Sequence, residues 1–169
     1  MTFTTRFAAG LALTLAMLAP VAQAAEPAVI YVVRHGEKTG NDGDPDLTAQ
    51  GRIRATNIAT ILKRTGIRQV FSSKTARTRQ TAAPAAALLG LPVKEYDARA
   101  PEKMVEEVKA AGGNTLVVGH SNTIGKLVTL LGGDAGTAVG DDEYDRLYQL
   151  IIGRDGSVTT ILLSSPPSS

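Results

Sequence analysis

The feature that most constrains this chain is a rhythm. Short β-branched apolar runs recur along it, each followed by a longer segment with helical spacing. Val29–Val33, Gln69–Ser72, Val93–Tyr96 and Thr115–Val118 read as strands bounded by polar residues. Between them, Thr48 is placed to cap a helix running to about Arg64, with Ile53, Ile58, Ile61 and Leu62 on one face. Lys74–Leu89 reads as a second helix that Pro84 is expected to kink or split. Pro101 opens a third, whose apolar side is Met104, Val105 and Val108, and Ile124–Leu131 makes a fourth. Strands alternating with helices predict an α/β domain, a three-layer α/β/α sandwich on a mostly parallel central sheet. The last part changes character. Tyr144–Ile152 and Val158–Leu163 flank Gly153-Arg154-Asp155-Gly156, an Asp-Gly turn signal that predicts an antiparallel C-terminal edge hairpin. The domain is expected over residues 25–163, with 164–169, only Ser and Pro, as a disordered tail.

Residues 1–24 have a different composition. Arg6 is their only charge, Phe7 to Val21 is apolar, and Ala22-Gln23-Ala24 is a small-x-small pattern. This predicts a secretory signal peptide cut after Ala24. The alternative is a retained anchor, but about 15 apolar-rich residues are short against the roughly 20 that a membrane span needs. Cleavage would leave 145 residues with no membrane span, located in the periplasm or secreted.

Composition then removes several chemistries. There is no cysteine, so thiolate nucleophiles, disulfides and Cys-based metal sites are excluded. With 18 basic and 16 acidic side chains, net charge is too slight to argue for nucleic-acid binding. Two histidines leave little room for a His-rich metal centre. Asp42-x-Asp44-x-Asp46 lacks the glycine and terminal glutamate of an EF-hand. The Gly119…Gly125-Lys126 stretch has the wrong spacing for a P-loop and ends on Leu127.

Both histidines occupy the same kind of place. His35 follows the first strand and His120 the fourth, each beside a glycine, Gly36 or Gly119. In open α/β sheets, ligands bind outside the carboxyl ends of the strands. If the two strands are neighbours, both imidazoles enter one crevice. Arg34, next to His35, can clamp an anion while the imidazole attacks it. Arg77 sits near the start of the second helix, where anions are also favoured. Lys74 and Arg79 read as a solvated helix face.

These pieces resemble the histidine phosphatase superfamily, the phosphoglycerate-mutase-like fold. Four motifs carry the resemblance, in order along nearly all of the chain beyond residue 24: Arg34-His35-Gly36-Glu37, Leu47-Thr48-Ala49-Gln50-Gly51, Ser72-Ser73…Arg77…Gln80-Thr81 and Gly119-His120-Ser121-Asn122-Thr123. The resemblance implies a metal-independent phosphatase without cofactor that acts on small phosphate monoesters. His35 would be the phosphorylated nucleophile, and Arg34, Arg77 and His120 would hold the phosphate oxygens. Glu37 and Asn122 would be further substrate contacts. It also implies a proton donor in the loop after the third strand, where the mutase-like members have a glutamate. Here Asp97 stands nearest that place and Glu102 second, Glu102 also reading as a helix N-terminal carboxylate. Asp141, Asp142, Glu143 and Asp145 read as a solvated loop. Two rivals remain: a non-catalytic secreted phosphate-ligand-binding module on the same fold, and a phosphoglycerate-mutase-type phosphotransferase. Physiological substrate and oligomeric state are not readable from the residues.

Overall fold

The computed structural model describes residues 27–166; the segment read as a signal peptide lies outside them. Six strands form one sheet: β1 (Ala28–Arg34), β2 (Ile67–Ser73), β3 (Val93–Tyr96), β4 (Asn114–Gly119), β5 (Arg146–Ile152) and β6 (Val158–Ser164). Their order is β3-β2-β4-β1-β5-β6. The first four are mutually parallel, while β5 runs antiparallel to β1 and β6 antiparallel to β5. Four helices complete the fold: α1 (Ala49–Leu62), α2 (Ala76–Leu89), α3 (Glu102–Ala111) and α4 (Ser121–Leu130).

Alternation along the central strands divides the core into two layers, because successive side chains of a strand point to opposite faces. Tyr31 and Val33 of β1 pack with Ile58, Ala59 and Leu62 of α1 and with Ala82, Ala85 and Ala86 of α2. Ile30 and Val32 pack on the other face with Met104, Val105 and Val108 of α3 and Ile124, Leu127 and Val128 of α4. The sheet is therefore covered on both sides, as the α/β/α reading requires.

Four local expectations need correction. Ile53 and Ile61 are about 40% exposed, because the buried stripe of α1 runs Gly51, Arg54, Ala55, Ile58, Ala59 and Leu62, one step round the helix. Pro84 does not break α2, which continues to Leu89 on the anchors Ala82, Ala85 and Ala86. Helix α4 starts three residues early because its first turn is polar and carries no apolar signal. Finally, the chain stays packed past Leu163. Ser164 closes β6, Ser165 is buried and its amide donates to the Asp145 carbonyl, and Arg54 Nη1 donates to its Oγ at 2.9 Å. Residues 167–169 lie outside the described part.

Two crossovers position the site. β1 sends its chain to α1 on one face, while neighbouring β4 sends its chain to α4 on the other. A crevice opens where adjacent strands feed opposite layers. Gly36 and Gly51 let the first crossover lie close. A Cβ on Gly36 would come 2.7 Å from the Gly51 carbonyl oxygen, and one on Gly51 would come 2.8 Å from the Glu37 amide nitrogen. Two of the four motifs thus meet backbone to backbone.

Candidate active site

His35 and His120 leave adjacent strand ends, and their ring centroids are 5.4 Å apart. The His35 amide continues the β1–β4 ladder by donating to the Gly119 carbonyl at 2.9 Å. His120 is the N-cap residue of α4, and its amide donates to Thr123 Oγ1 at 2.9 Å. Helix geometry therefore fixes the second histidine as firmly as the strand fixes the first.

Hydrogen bonding assigns the tautomers. His35 Nδ1 lies 2.7 Å from the Gly36 carbonyl, which can only accept. Nδ1 therefore carries the proton, and the lone pair is left on Nε2. Arg77 Nη2, which can only donate, lies 3.4 Å from His120 Nδ1. His120 Nε2 then donates to Ser73 Oγ at 2.8 Å. Both rings are neutral in this arrangement. Burial drives the His35 pKa down to about 3, with His120, Arg34 and Arg77 adding to the effect and the Gly36 hydrogen bond opposing it. Burial likewise brings His120 to about 4, helped by Arg77 and Arg34 and opposed by Asp44.

These shifts make stability pH-dependent. The unfolded chain protonates its histidines near pH 6.5, well before the folded chain does, so it binds more protons between about pH 6.5 and 3. Stability should be fully held above pH 6.5 and fall as pH drops through that window. Thermal unfolding at pH 7 and pH 5 checks this; His35→Asn should reduce the difference, His120 supplying what remains, and an equal slope in that variant would refute it.

The arginines are arranged for an anion. Arg34 Nη1 donates to the Gly140 and Glu143 carbonyls at 2.9 Å each, and its guanidinium lies 3.9 Å over the Tyr144 ring. Arg77 Nη1 pairs with Asp44 at 3.3 Å. The buried side-chain polar atoms without a partner among the described residues are Arg34 Nε and Arg77 Nε. An unpaired buried N–H costs free energy, about 1–3 kcal/mol in typical cases, so two of them at the histidines mark where an acceptor belongs.

All these groups open on a cleft of about 990 Å³, lined among others by Arg34, His35, Arg77, Asp97, His120 and Asn122. Asp97 is exposed there, and its Oδ1 accepts from the Arg99 amide at 2.9 Å. Glu102 is absent from the lining; it sits in the first turn of α3 and pairs with Lys126 at 2.8 Å. Glu37 is the correction among the expected substrate contacts. Its carboxylate is turned away from the cleft to Arg54, at 2.7 Å. Burial alone would raise the Glu37 pKa, but the Arg54 hydrogen bonds bring it below the usual range. Its role here is to tie the loop after β1 to α1. Asp141 and Asp142 line the cleft, where a purely solvated loop was expected, and so does Lys74.

Sequence reasoning passed over three residues at the site. Asp44 accepts from the Ala76 amide through both oxygens at 2.9 Å, capping α2 from a distant loop and sharing Arg77 with the cleft. Ser73 orients His120, and Asn41 lines the cleft beside Lys38. The Ser72-Ser73 pair was visible in the motif; Asp44 was masked by its resemblance to a calcium loop.

Fold and site together define an α/β protein with an oxyanion crevice of paired histidines and arginines. Comparison with known proteins agrees. The family model described as histidine phosphatase superfamily (branch 1) matches residues 30–99, the stretch that holds the first three of the four motifs. A curated relative, "Probable phosphoglycerate mutase GpmB" of Escherichia coli, is 42% identical over 60 residues, 31% of this chain and 28% of its own length. The match thus spans under a third of that relative. Among solved structures, the protein histidine phosphatase SixA complexed with tungstate has TM-score 0.64 at 20% identity, covering 81% of this chain and 97% of that one. A mycobacterial glucosyl-3-phosphoglycerate phosphatase has TM-score 0.64 at 18% identity, covering 85% and 100%. The alpha-ribazole phosphatase of Shigella flexneri has TM-score 0.63 at 19% identity, covering 81% and 96%. These likenesses show the fold.

Proposed function

We propose that the protein hydrolyses phosphate monoesters through a phosphohistidine on His35. The observation that carries this reading is the pair of orphaned guanidinium N–H groups beside a neutral imidazole whose Nε2 lone pair is free. His35 Nε2 attacks phosphorus as the ester P–O bond breaks, and Arg34 and Arg77 balance the charge on the equatorial oxygens. A dianion entering between two arginines favours protonation of His120, which then donates to it as well. Asp97 gives the leaving alkoxide its proton. Water then cleaves the N–P bond, passing one proton back to the Asp97 carboxylate, releasing phosphate and restoring neutral His35.

The test is chemical trapping. Rapidly quenched protein incubated with a labelled aryl phosphate should carry acid-labile, alkali-stable phosphate at position 35. Turnover with label on another residue, or no turnover at all, would overturn the proposal, and the second outcome would favour the binding module.

The same reading places the activity outside the cytoplasm, supported by the Ala22-Gln23-Ala24 pattern behind an apolar stretch. Protein recovered from the producing cell should begin at Ala25; a retained Met1 would contradict export with cleavage.

A further inference from the structure

Beside the main cleft lies a second hollow of about 400 Å³, walled by the start of α4 and by the connection from α4 to β5. It shares three lining residues with the cleft, Ser121, Asn122 and Asp141, so the two spaces adjoin. Resting on the phosphatase reading, we propose that this annex receives the alcohol part of the ester and that it selects neutral, hydroxylated alcohols of about sugar size.

Three observations carry the proposal. The first is charge. The cleft is lined by Arg34, Lys38, Lys74, Arg77 and Arg99, whereas no Lys, Arg or His lines the annex. Its one charged residue is Asp141. A substrate with a second anionic group, such as a carboxylate or another phosphate, would meet there a carboxylate whose charge Arg34 of the cleft already offsets, and no cation on the annex wall itself. The second is the state of the seam. The side chains of Ser121, Asn122 and Asp141 make no hydrogen bond with any other described residue, and Asp141 meets only the longer-range charge of Arg34. They offer a hydroxyl, an amide and a carboxylate to whatever lies between the two spaces, a donor and acceptor set suited to hydroxyl groups. The third is shape. Gly125, Ala135, Gly136 and Ala138 make the floor small, with Val139 partly packed on the core. Glycine at position 125 is not demanded by crowding. An added Cβ would meet only the Ala135 methyl, at an ordinary 3.8 Å. Within a helix that glycine is a cost, which the open floor explains.

The wall is itself rigidly held. Arg146 Nη1 donates to the Thr137 carbonyl at 2.7 Å, its Nη2 donates to the Ala138 carbonyl at 3.2 Å, and Tyr148 Oη donates to the Ala135 carbonyl at 2.9 Å. A fixed wall selects by shape, because it does not yield to a misfitting group.

The experiment compares kcat/KM for glucose 1-phosphate, 3-phosphoglycerate, phosphoethanolamine and ethyl phosphate, the last too small to fill the annex. Glucose 1-phosphate should be preferred over 3-phosphoglycerate. Gly125→Leu, which fills the floor, should lower the glucose 1-phosphate to ethyl phosphate ratio about tenfold or more. Gly125→Ala should melt no lower than the parent and show a smaller change of the same sign, separating annex filling from misfolding. Asp141→Lys should move preference towards 3-phosphoglycerate. Turnover of ethyl phosphate with the ratio unchanged in Gly125→Leu would overturn the annex while leaving the phosphatase standing, and so would a parental preference for 3-phosphoglycerate or phosphoethanolamine. No turnover of any ester, phenyl phosphate included, would overturn both.

Discussion

Replacing His35 with alanine should lower turnover of an aryl phosphate by on the order of 10⁴-fold or more, with the melting temperature close to that of the parent. The size follows from what is removed. The Nε2 lone pair is the one nucleophile the reading provides, and nothing adjacent replaces it: His120 Nδ1 faces Arg77, and its Nε2 is bonded to Ser73. The fold should survive because the two apolar core layers are built without His35, whose ring neighbours are His120 and Tyr144. Its backbone amide, which extends the β1–β4 ladder to Gly119, is untouched by the substitution. Loss of the buried ring leaves a small space but also removes a group that is costly to protonate, so the variant should tolerate mild acid better than the parent. Steady-state kinetics with circular dichroism melting checks both halves. Activity within about tenfold of the parent would sink the nucleophile assignment.

The second large effect should come from Gly51→Ala, a change of one methyl group behind the segment that follows His35. The added Cβ would lie 2.8 Å from the Glu37 amide nitrogen and closer still to its carbonyl oxygen, and both are backbone atoms that no rotamer can move. Relief requires α1 to shift away from the segment following His35. Overpacking of a tight site typically costs about 1–3 kcal/mol, and here the obstacle is main chain, so the upper end is expected. For a domain of this length that corresponds to a fall of roughly 6–12 °C in melting temperature. Activity should fall further than stability explains, because the Gly36 carbonyl that fixes the His35 tautomer lies on the displaced segment. An unchanged melting temperature and normal kcat would mean the two backbones are not held as described.

Much of this was legible beforehand, for a physical reason. Strands β1 and β4 are buried on both faces and so read as unbroken apolar runs, and the Asp-Gly turn announces its hairpin through backbone chemistry alone. His35, Arg34 and His120 could be placed because a strand end is a sequence landmark and the sheet converts landmarks into neighbours. What stayed hidden depends on which way a side chain turns. Glu37 sits inside the first motif, yet Arg54, seventeen residues on, draws its carboxylate away. Ile53 and Ile61 belong to an apolar helix, yet the contact stripe passes them by. Asp44 reaches Ala76 and Arg77 across a loop whose path no periodicity records. Ser165 lies in a run of Ser and Pro with no folding signal, and it is buried because Arg54 has a guanidinium nitrogen to satisfy.

The reversal of direction at β5 has one more consequence. Because β5 runs against β1, its first residue, Arg146, lies at the same end of the sheet as Arg34 and His35, and the connection from α4 must arrive there. The reacting groups are mounted on parallel strand ends and helix starts. Part of the boundary beside them, residues 135–139 and Asp141, is mounted on one connecting segment with its own bracing. The same segment also holds Arg34, through the Gly140 and Glu143 carbonyls and the Tyr144 ring, so only its first part, residues 135–139, can be lengthened or recoloured without reaching the arginine.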